Sequence, residues 1–446
     1  MSVEQFGYQQ QLKRVLGFKD LLSYGMVAMV PIAPFGVYGF VAEASQGRVP
    51  LAYLLGLLAM LFTALSYAAM AEAFPVAGSA YAYTQRGLHP LAGFFAGWLL
   101  LLDYILVPAL LFVISAGSLQ ALLPAWPKWL WVLGFIALCT AINLRGVELT
   151  ARANRLFLQL QLLVLALFMV IGLWALYQAG GPGLSLAPVS PTGLSWSWLG
   201  GAAAIAALSF LGFDAISTLS EEVREDQPRA VSRATLLVLF LMGACFIAQT
   251  WVAADLAQGL QISSPDSAFY EIAQKAGGRA LFVTTAVATA LAWGIANAMS
   301  AQAAVARVLF AMGRDRQLPG SRWLAAVHPV RQTPGFSTAL VALVSLAVAL
   351  YFLDDPAALT NLVTFGALSA FGLLHLAVSW HFLVRQRSRR WLRHGLLPLA
   401  GLAVLLFILH GQDRAAMQLG LAWLALGALW AGVQRLWLRR ELKLAV

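Results

Sequence analysis

The sequence predicts an all-α membrane protein of twelve transmembrane helices. Three observations carry that prediction. The 446-residue chain is 61% hydrophobic and only 11% charged, whereas soluble domains carry roughly 25% charged residues. Apolar runs recur along the whole chain, each close to the roughly 20 residues that cross a bilayer as helix. Lysine and arginine also fall on alternate connections. With the N-terminus inside, 24 of the 29 basic residues lie on inside connections. Arg48, Lys128, Lys275, Arg279 and Arg414 make up the rest. That asymmetry sets both termini in the cytoplasm.

The spans are expected near 20–43, 51–71, 91–118, 129–144, 156–178 and 199–220, then 234–256, 280–306, 336–353, 359–384, 395–411 and 415–438. Loops are short, so residues 1–446 read as one transmembrane domain. The polar and then basic start, Met1 to Phe18, has no small-residue cleavage site and does not read as a removed signal peptide. The net charge of +10 has its source in the topology. The run Arg385 to Arg393 is a topology anchor facing anionic lipid, not a nucleic-acid patch. Cys139 and Cys245 lie inside apolar runs and read as inert core residues, with no disulfide, metal or redox role.

Span one is interrupted. Met29-Val-Pro-Ile-Ala-Pro-Phe-Gly-Val-Tyr-Gly39 contains Pro31, Pro34, Gly36 and Gly39. Proline removes a backbone donor and breaks the helical ladder. At membrane depth such backbone is tolerated only when buried in protein or lining a cavity. The alternative is a merely kinked helix. In the loop after span two, Pro75 and Gly78 make a turn, and Tyr81 and Tyr83 suit a membrane interface. Span three carries Asp103-Tyr104 about 12 residues in, roughly 18 Å deep. Asp103 is open to three roles: ligand, proton carrier, or structural acid bonded to a hydroxyl.

Span six runs Leu208-Ser-Phe-Leu-Gly-Phe-Asp-Ala-Ile-Ser-Thr-Leu-Ser-Glu-Glu222. An acid inside a spanning helix is costly and usually faces a cavity or a partner. Gly212 beside Asp214 lets the backbone leave the helix. The pair predicts a discontinuous helix lining a central site; the alternative is a kinked helix whose Asp pairs with a neighbouring Tyr or Ser. Spans one and six hold corresponding places in two five-span halves, the pattern of inverted repeats with the binding site at their breaks. The repeats would cover about 18–178 and 199–384, with extra helices over 395–438. Glu221 and Glu222 open a charged cytoplasmic hinge, either a solvated loop or a gate. In span eight, Trp293, Asn297 and Ser300 share one face at helical spacing, a stripe suited to a cavity or to helix packing. His375 and His381 are six apart, wrong for a metal pair, and read as packing residues. The chain has no P-loop, HExxH, CxxC or nucleophile elbow, so nothing points to an enzyme. Its few intramembrane charges argue against a wide aqueous channel.

Gly212-Phe-Asp-Ala-Ile-Ser-Thr-Leu-Ser-Glu-Glu222 resembles the span-six signature of the amino acid–polyamine–organocation transporters. Phe74-Pro-Val-Ala-Gly-Ser-Ala-Tyr81 resembles their loop after span two. Met312-Gly-Arg-Asp315 with His328-Pro329 and Thr333-Pro334 resembles their loop after span eight. Gly47-Arg-Val-Pro50, Leu101-Leu-Asp-Tyr104, Ser209-Phe-Leu-Gly-Phe-Asp214 and Phe365-Gly-Ala-Leu368 are most similar to the bacterial putrescine importers of that superfamily. The resemblance implies a leucine-transporter-like fold of five plus five inverted spans and two more, in a bacterial inner membrane. It implies proton-driven uptake of a small amine, with no cofactor; sodium stays an open alternative as coupling ion. By position it places Asp214 as the acid of coupling or substrate, and Phe210 and Phe213 in the broken segment. The chain departs from the putrescine pattern at Gly36, where that group carries an acid. Two ammonium groups prefer two acids, so this departure favours a monoamine or a different second anchor.

An amino-acid substrate would need free backbone N–H groups at the breaks for its carboxylate. Pro31 and Pro34 each remove one, and no Gly-Ser-Gly-like cradle is present. An ammonium would instead find Asp214 or Asp103 and the aromatic faces of Phe35, Tyr38, Tyr104, Phe210 or Trp293. The expected site therefore comprises Pro34, Phe35, Gly36, Tyr38, Asp103, Tyr104, Phe210, Gly212, Phe213, Asp214, Trp293 and Asn297. An amino-acid permease or exchanger of the same fold is the alternative. The partners expected are the lipid bilayer and a small amine or amino acid.

Overall fold

A computed structural model describes residues 16–74, 79–145, 147–178, 183–193, 195–224, 226–227, 229–314, 320–328 and 333–436. Pro75, Gly78, Asp315, Pro319, Pro329 and the two chain ends lie outside these residues, as does the side chain of Glu221. Among the described residues there is no β-strand, only a bridge between Leu16 and Val223. Among the described residues nine helices are long and apolar enough to cross a membrane. The count rises to eleven when each of two bent pairs is taken as one span. Gly335–Tyr351 is a shorter apolar helix. The helix over Pro90–Leu122, span three, is the most enclosed of the nine, and Arg414–Val433 the least.

The two bent pairs are spans one and six. Phe18–Met29 and Ala33–Ala44 meet at 45°, and Trp196–Phe210 and Phe213–Ser220 meet at 43°. In span one the break falls where Val30 takes a positive φ of 54° just ahead of Pro31. In span six it falls at Gly212, with φ 109°. The interruption expected from Pro31, Pro34 and Gly212 is therefore present in both spans.

The two breaks abut. A Cβ built on Gly212 would lie 2.8 Å from the Ala28 carbonyl, and one on Gly25 would lie 2.5 Å from Ile216 Cδ1. The first half of span one thus lies directly on the second half of span six. They are tied again beyond the helices: Leu16 N–H donates to the Glu222 carbonyl at 3.0 Å, and Arg224 N–H to the Leu16 carbonyl at 3.0 Å.

Breaking a helix frees backbone groups that must find partners. The Pro31 carbonyl accepts from Gln249 Nε2 at 3.1 Å, a fully buried side chain of Ala230–Leu256, span seven. Replacing Gln249 by Leu leaves that carbonyl unsatisfied and is expected to cost about 1–3 kcal/mol. Thermal unfolding of the purified protein checks this, and an unchanged melting point would mean that the carbonyl finds another partner.

Several expectations are corrected. Tyr81 and Tyr83 sit inside a short helix, Ser79–Gly87, and are buried rather than interfacial. Residues 292–297 wind as π-helix, so the regular spacing assumed for Trp293 and Asn297 does not hold. A helix beginning at Ala268 precedes span eight and is broken from it at Gly277 and Gly278. His375 packs between helices as expected, bonded to Ser66 Oγ at 2.9 Å and Thr63 Oγ1 at 3.3 Å.

Candidate functional site

Asp214 lies two residues past the Gly212 turn and is buried. Its Oδ2 accepts from Ser79 Oγ at 3.1 Å, and Ser79 Oγ is 2.8 Å from the Tyr67 hydroxyl. The pairing with Ser and Tyr that a structural acid calls for is thus present. The surroundings go further. Asp103, from span three, is an electrostatic neighbour of Asp214. Tyr104 interacts electrostatically with both acids and with Tyr24, which in turn feels Arg307 and Glu222. Asp103 is also buried, and its Oδ1 has no hydrogen-bond partner among the described residues. Burying a carboxylate oxygen without a partner is unfavourable. An incoming donor, above all a cationic one, would satisfy it.

The backbone at the span-one break offers little to a ligand. Pro31 and Pro34 have no N–H. Ala33 N–H is taken by the Val30 carbonyl at 2.8 Å and Phe35 N–H by the Ile32 carbonyl at 3.0 Å. With the Pro31 carbonyl held by Gln249, side chains are left as the main anchors.

The expected site residues divide into groups. Asp214, Asp103 and Tyr104 are electrostatic neighbours, and Phe213, next to Asp214 in the chain, packs against Tyr67 at 5.7 Å and Phe371 at 5.8 Å. Gly36 comes to Trp293. A Cβ on Gly36 would lie 3.7 Å from Trp293 Cε2 but only 2.6 Å from Ile114 Cγ2. The space an acid would take there is filled by Ile114. Trp293 Nε1 is buried with no partner among the described residues, and Asn297 is half-buried on the same π-turn.

Pro34 is buried in the second half of span one. Phe35 has its face covered: it stacks on Phe269 at 3.9 Å, with Phe168 edge-on at 5.7 Å. Tyr38 joins that cluster through Phe269 at 5.8 Å. Phe210 packs with Tyr53 at 6.0 Å and Phe246 at 5.3 Å. These rings hold the broken spans to their neighbours. The aromatic residues that act on the acids are instead Tyr67, Tyr104 and Tyr24. Glu222 reaches the site electrostatically through Tyr24, and its carbonyl holds the Leu16 bridge.

Tyr24, Tyr67, Ser79 and Gln249 were missed in the sequence. Ser79 stood inside the quoted loop after span two, and Tyr67 at the end of span two, but neither carries a local signal of contact with Asp214. Two recesses lie elsewhere, one of about 850 Å³ lined by Lys275, Glu271 and Asp266, and one of about 480 Å³ beside Arg48 and Tyr38. Neither includes Asp103 or Asp214.

The comparisons agree with this architecture. The amino acid permease family profile matches residues 18–411. The chain is 33% identical over 433 residues to the low-affinity putrescine importer PlaP of Escherichia coli (strain K12), covering 94% of this chain and 93% of that protein. It is 28% identical over 450 residues to the branched-chain amino acid permease BcaP of Bacillus subtilis (strain 168), covering 94% and 92%. It is 27% identical over 389 residues to the methylthioribose transporter of the same bacterium, covering 83% and 81%. With broken spans, intramembrane acids and a family match over most of its length, the chain belongs to the amino acid permease family of the amino acid–polyamine–organocation superfamily, and it is a membrane transporter, not an enzyme.

Proposed function

We propose that this chain imports a small organic amine across a bacterial inner membrane, driven by the proton gradient, by alternating access. The observation that carries the reading is the pair of buried, interacting carboxylates at the span-six break, one with an unpartnered oxygen. An ammonium group satisfies that oxygen and lies against Tyr104 and Tyr24. A cation over an aromatic face gains about 0.5–2 kcal/mol depending on desolvation. The similarity to a putrescine importer points to the same substrate class.

The proposed architecture is twelve spans with both termini cytoplasmic, inverted repeats over about 18–178 and 199–384, and two extra helices over 395–438. Matching breaks in spans one and six support it. The first half of span one and the second half of span six share the Gly25–Ile216 and Gly212–Ala28 contacts and the Leu16–Val223 bridge. They therefore rock as one body. Asp214 carries the coupling proton, and the Glu221–Glu222 segment, bridged to Leu16, is the inner gate.

An amino-acid substrate is the second reading, favoured by one observation. Trp293 Nε1 is a buried donor without a partner among the described residues and would suit an acceptor such as a carboxylate. A ligand that binds the folded state raises its melting point, so thermal unfolding against a ligand panel separates the readings. The panel is putrescine, cadaverine, spermidine, aromatic and aliphatic monoamines, and the parent amino acids. Stabilisation by amines is expected. Stabilisation by amino acids alone would overturn the amine reading.

A further inference from the structure

Ser79 is the first residue of the short helix Ser79–Gly87 and is bonded to the Asp214 carboxylate. A hydroxyl has one proton to give. Ser79 Oγ gives it to Asp214 Oδ2, so the Tyr67 hydroxyl, 2.8 Å away, must be the donor to Ser79. With Asp214 charged, the bonds of Tyr67 and Ser79 run toward the carboxylate, which Tyr67 also approaches directly. Ser79, Tyr67 and Asp214 are 3%, 1% and 8% exposed, so water competes little for these bonds. Ser79 also holds a positive φ of 52°, a region sparsely populated by residues other than glycine and asparagine. The other end of the helix is fixed: Arg385 Nη1 and Nη2 donate to the Arg86 and Leu88 carbonyls, each at 2.9 Å.

We propose that Ser79, oriented by Tyr67, is a positioning residue that holds Asp214 in its charged, acceptor-only form and so sets the pH range over which transport is coupled. This rests on the reading of Asp214 as the coupling acid. When Asp214 takes up a proton it becomes a donor, and the chain can reverse, Asp214 giving to Ser79 and Ser79 to Tyr67. No bond other than a hydrogen bond changes. The short helix, anchored at Arg385, keeps the hydroxyl in place for both directions. The other titratable groups acting on or beside Asp214 are Asp103 and Tyr104 from span three and Tyr24 from span one, with Tyr83 against the Tyr67 ring and with Arg307 and Glu222 acting on Tyr24.

The test is uptake of radiolabelled putrescine, or of the amine that best stabilises the protein, into proteoliposomes as a function of pH. The variants are Ser79→Gly, Tyr67→Phe and Asp214→Asn. Glycine fits the positive φ and removes only the hydroxyl. Phenylalanine keeps the ring contacts of Tyr67 with Phe213, Phe371 and Tyr83. Losing a donor to a charged carboxylate makes protonation easier. The uptake midpoint is therefore expected to move to higher pH by about one unit in Ser79→Gly, and by less in the same direction in Tyr67→Phe. Asp214→Asn is expected to lose the pH dependence. A pH profile lost in Asp214→Asn but unmoved in both hydroxyl variants would overturn the positioning role alone. A wild-type profile in Asp214→Asn would overturn the coupling reading, and this proposal with it.

Discussion

Asp214→Asn will fold and insert like the wild type but will no longer accumulate amine against its gradient. The amide has nearly the volume of the carboxylate, and Asn Oδ1 can still accept the Ser79 hydroxyl that lies 3.1 Å from Asp214. The contacts of Phe213 with Tyr67 and Phe371 do not involve the carboxylate and should persist. What is lost is the charge. The carboxylate pair then carries one charge fewer, so amine affinity should fall, while Asp103 still holds the ammonium. Without a protonatable group, an imposed pH gradient has nothing to act on at this position. The measurements are gradient-driven uptake and amine counterflow in proteoliposomes. Residual counterflow at high amine concentration, with no response to the gradient, is the expected pattern. Full gradient-driven accumulation would remove Asp214 from coupling and leave Asp103, the other buried acid, as the candidate.

The features that could be read in the sequence are those whose cause is local. Pro31 and Pro34 cannot complete a helical ladder wherever they sit, and Gly212 beside an acid in an apolar run marks a turn. Both breaks lie where these residues put them. The intramembrane acids stood out for the same reason, since a charge in an apolar helix has few structural uses. Functions that depend on packing were not legible. Phe35 and Phe210 looked available to a cation, yet Phe269 covers one and Phe246 the other. Those partners are far away in sequence, and aromatic residues are common in every span. Ser79 reaches Asp214 across 135 positions and Gln249 reaches Pro31 across 218. A serine in a loop and a glutamine in a span carry no mark of such partners. The π-turn at Trp293 was hidden as well: Ser115 and Phe135 lie so close to Gly294 that a Cβ there would meet them at 2.7 and 2.9 Å, and both are distant in sequence.

The break itself offers the second large effect. Gly212→Ala is expected to destabilise the protein by about 2–4 kcal/mol and to abolish uptake. Two independent penalties act there. Alanine is strained at the φ of 109° that Gly212 adopts, and its Cβ would come 2.8 Å from the Ala28 carbonyl. That carbonyl is backbone of the first half of span one, so it cannot swing aside as a flexible side chain would. Relief requires separating the halves of spans one and six that Gly25 and Ile216 press together. It would also move Asp214 away from Ser79. The loss should therefore appear in thermal unfolding and in transport alike. Gly134→Ala is the matching control. It lies within the helix Lys128–Arg145, and a Cβ there meets nothing within 4 Å. Helix propensity alone should then make that change neutral or stabilising by up to about 1 kcal/mol. If Gly212→Ala melts and transports like Gly134→Ala, the two broken spans do not bear on each other at this glycine, and the rocking unit proposed from their contact is wrong.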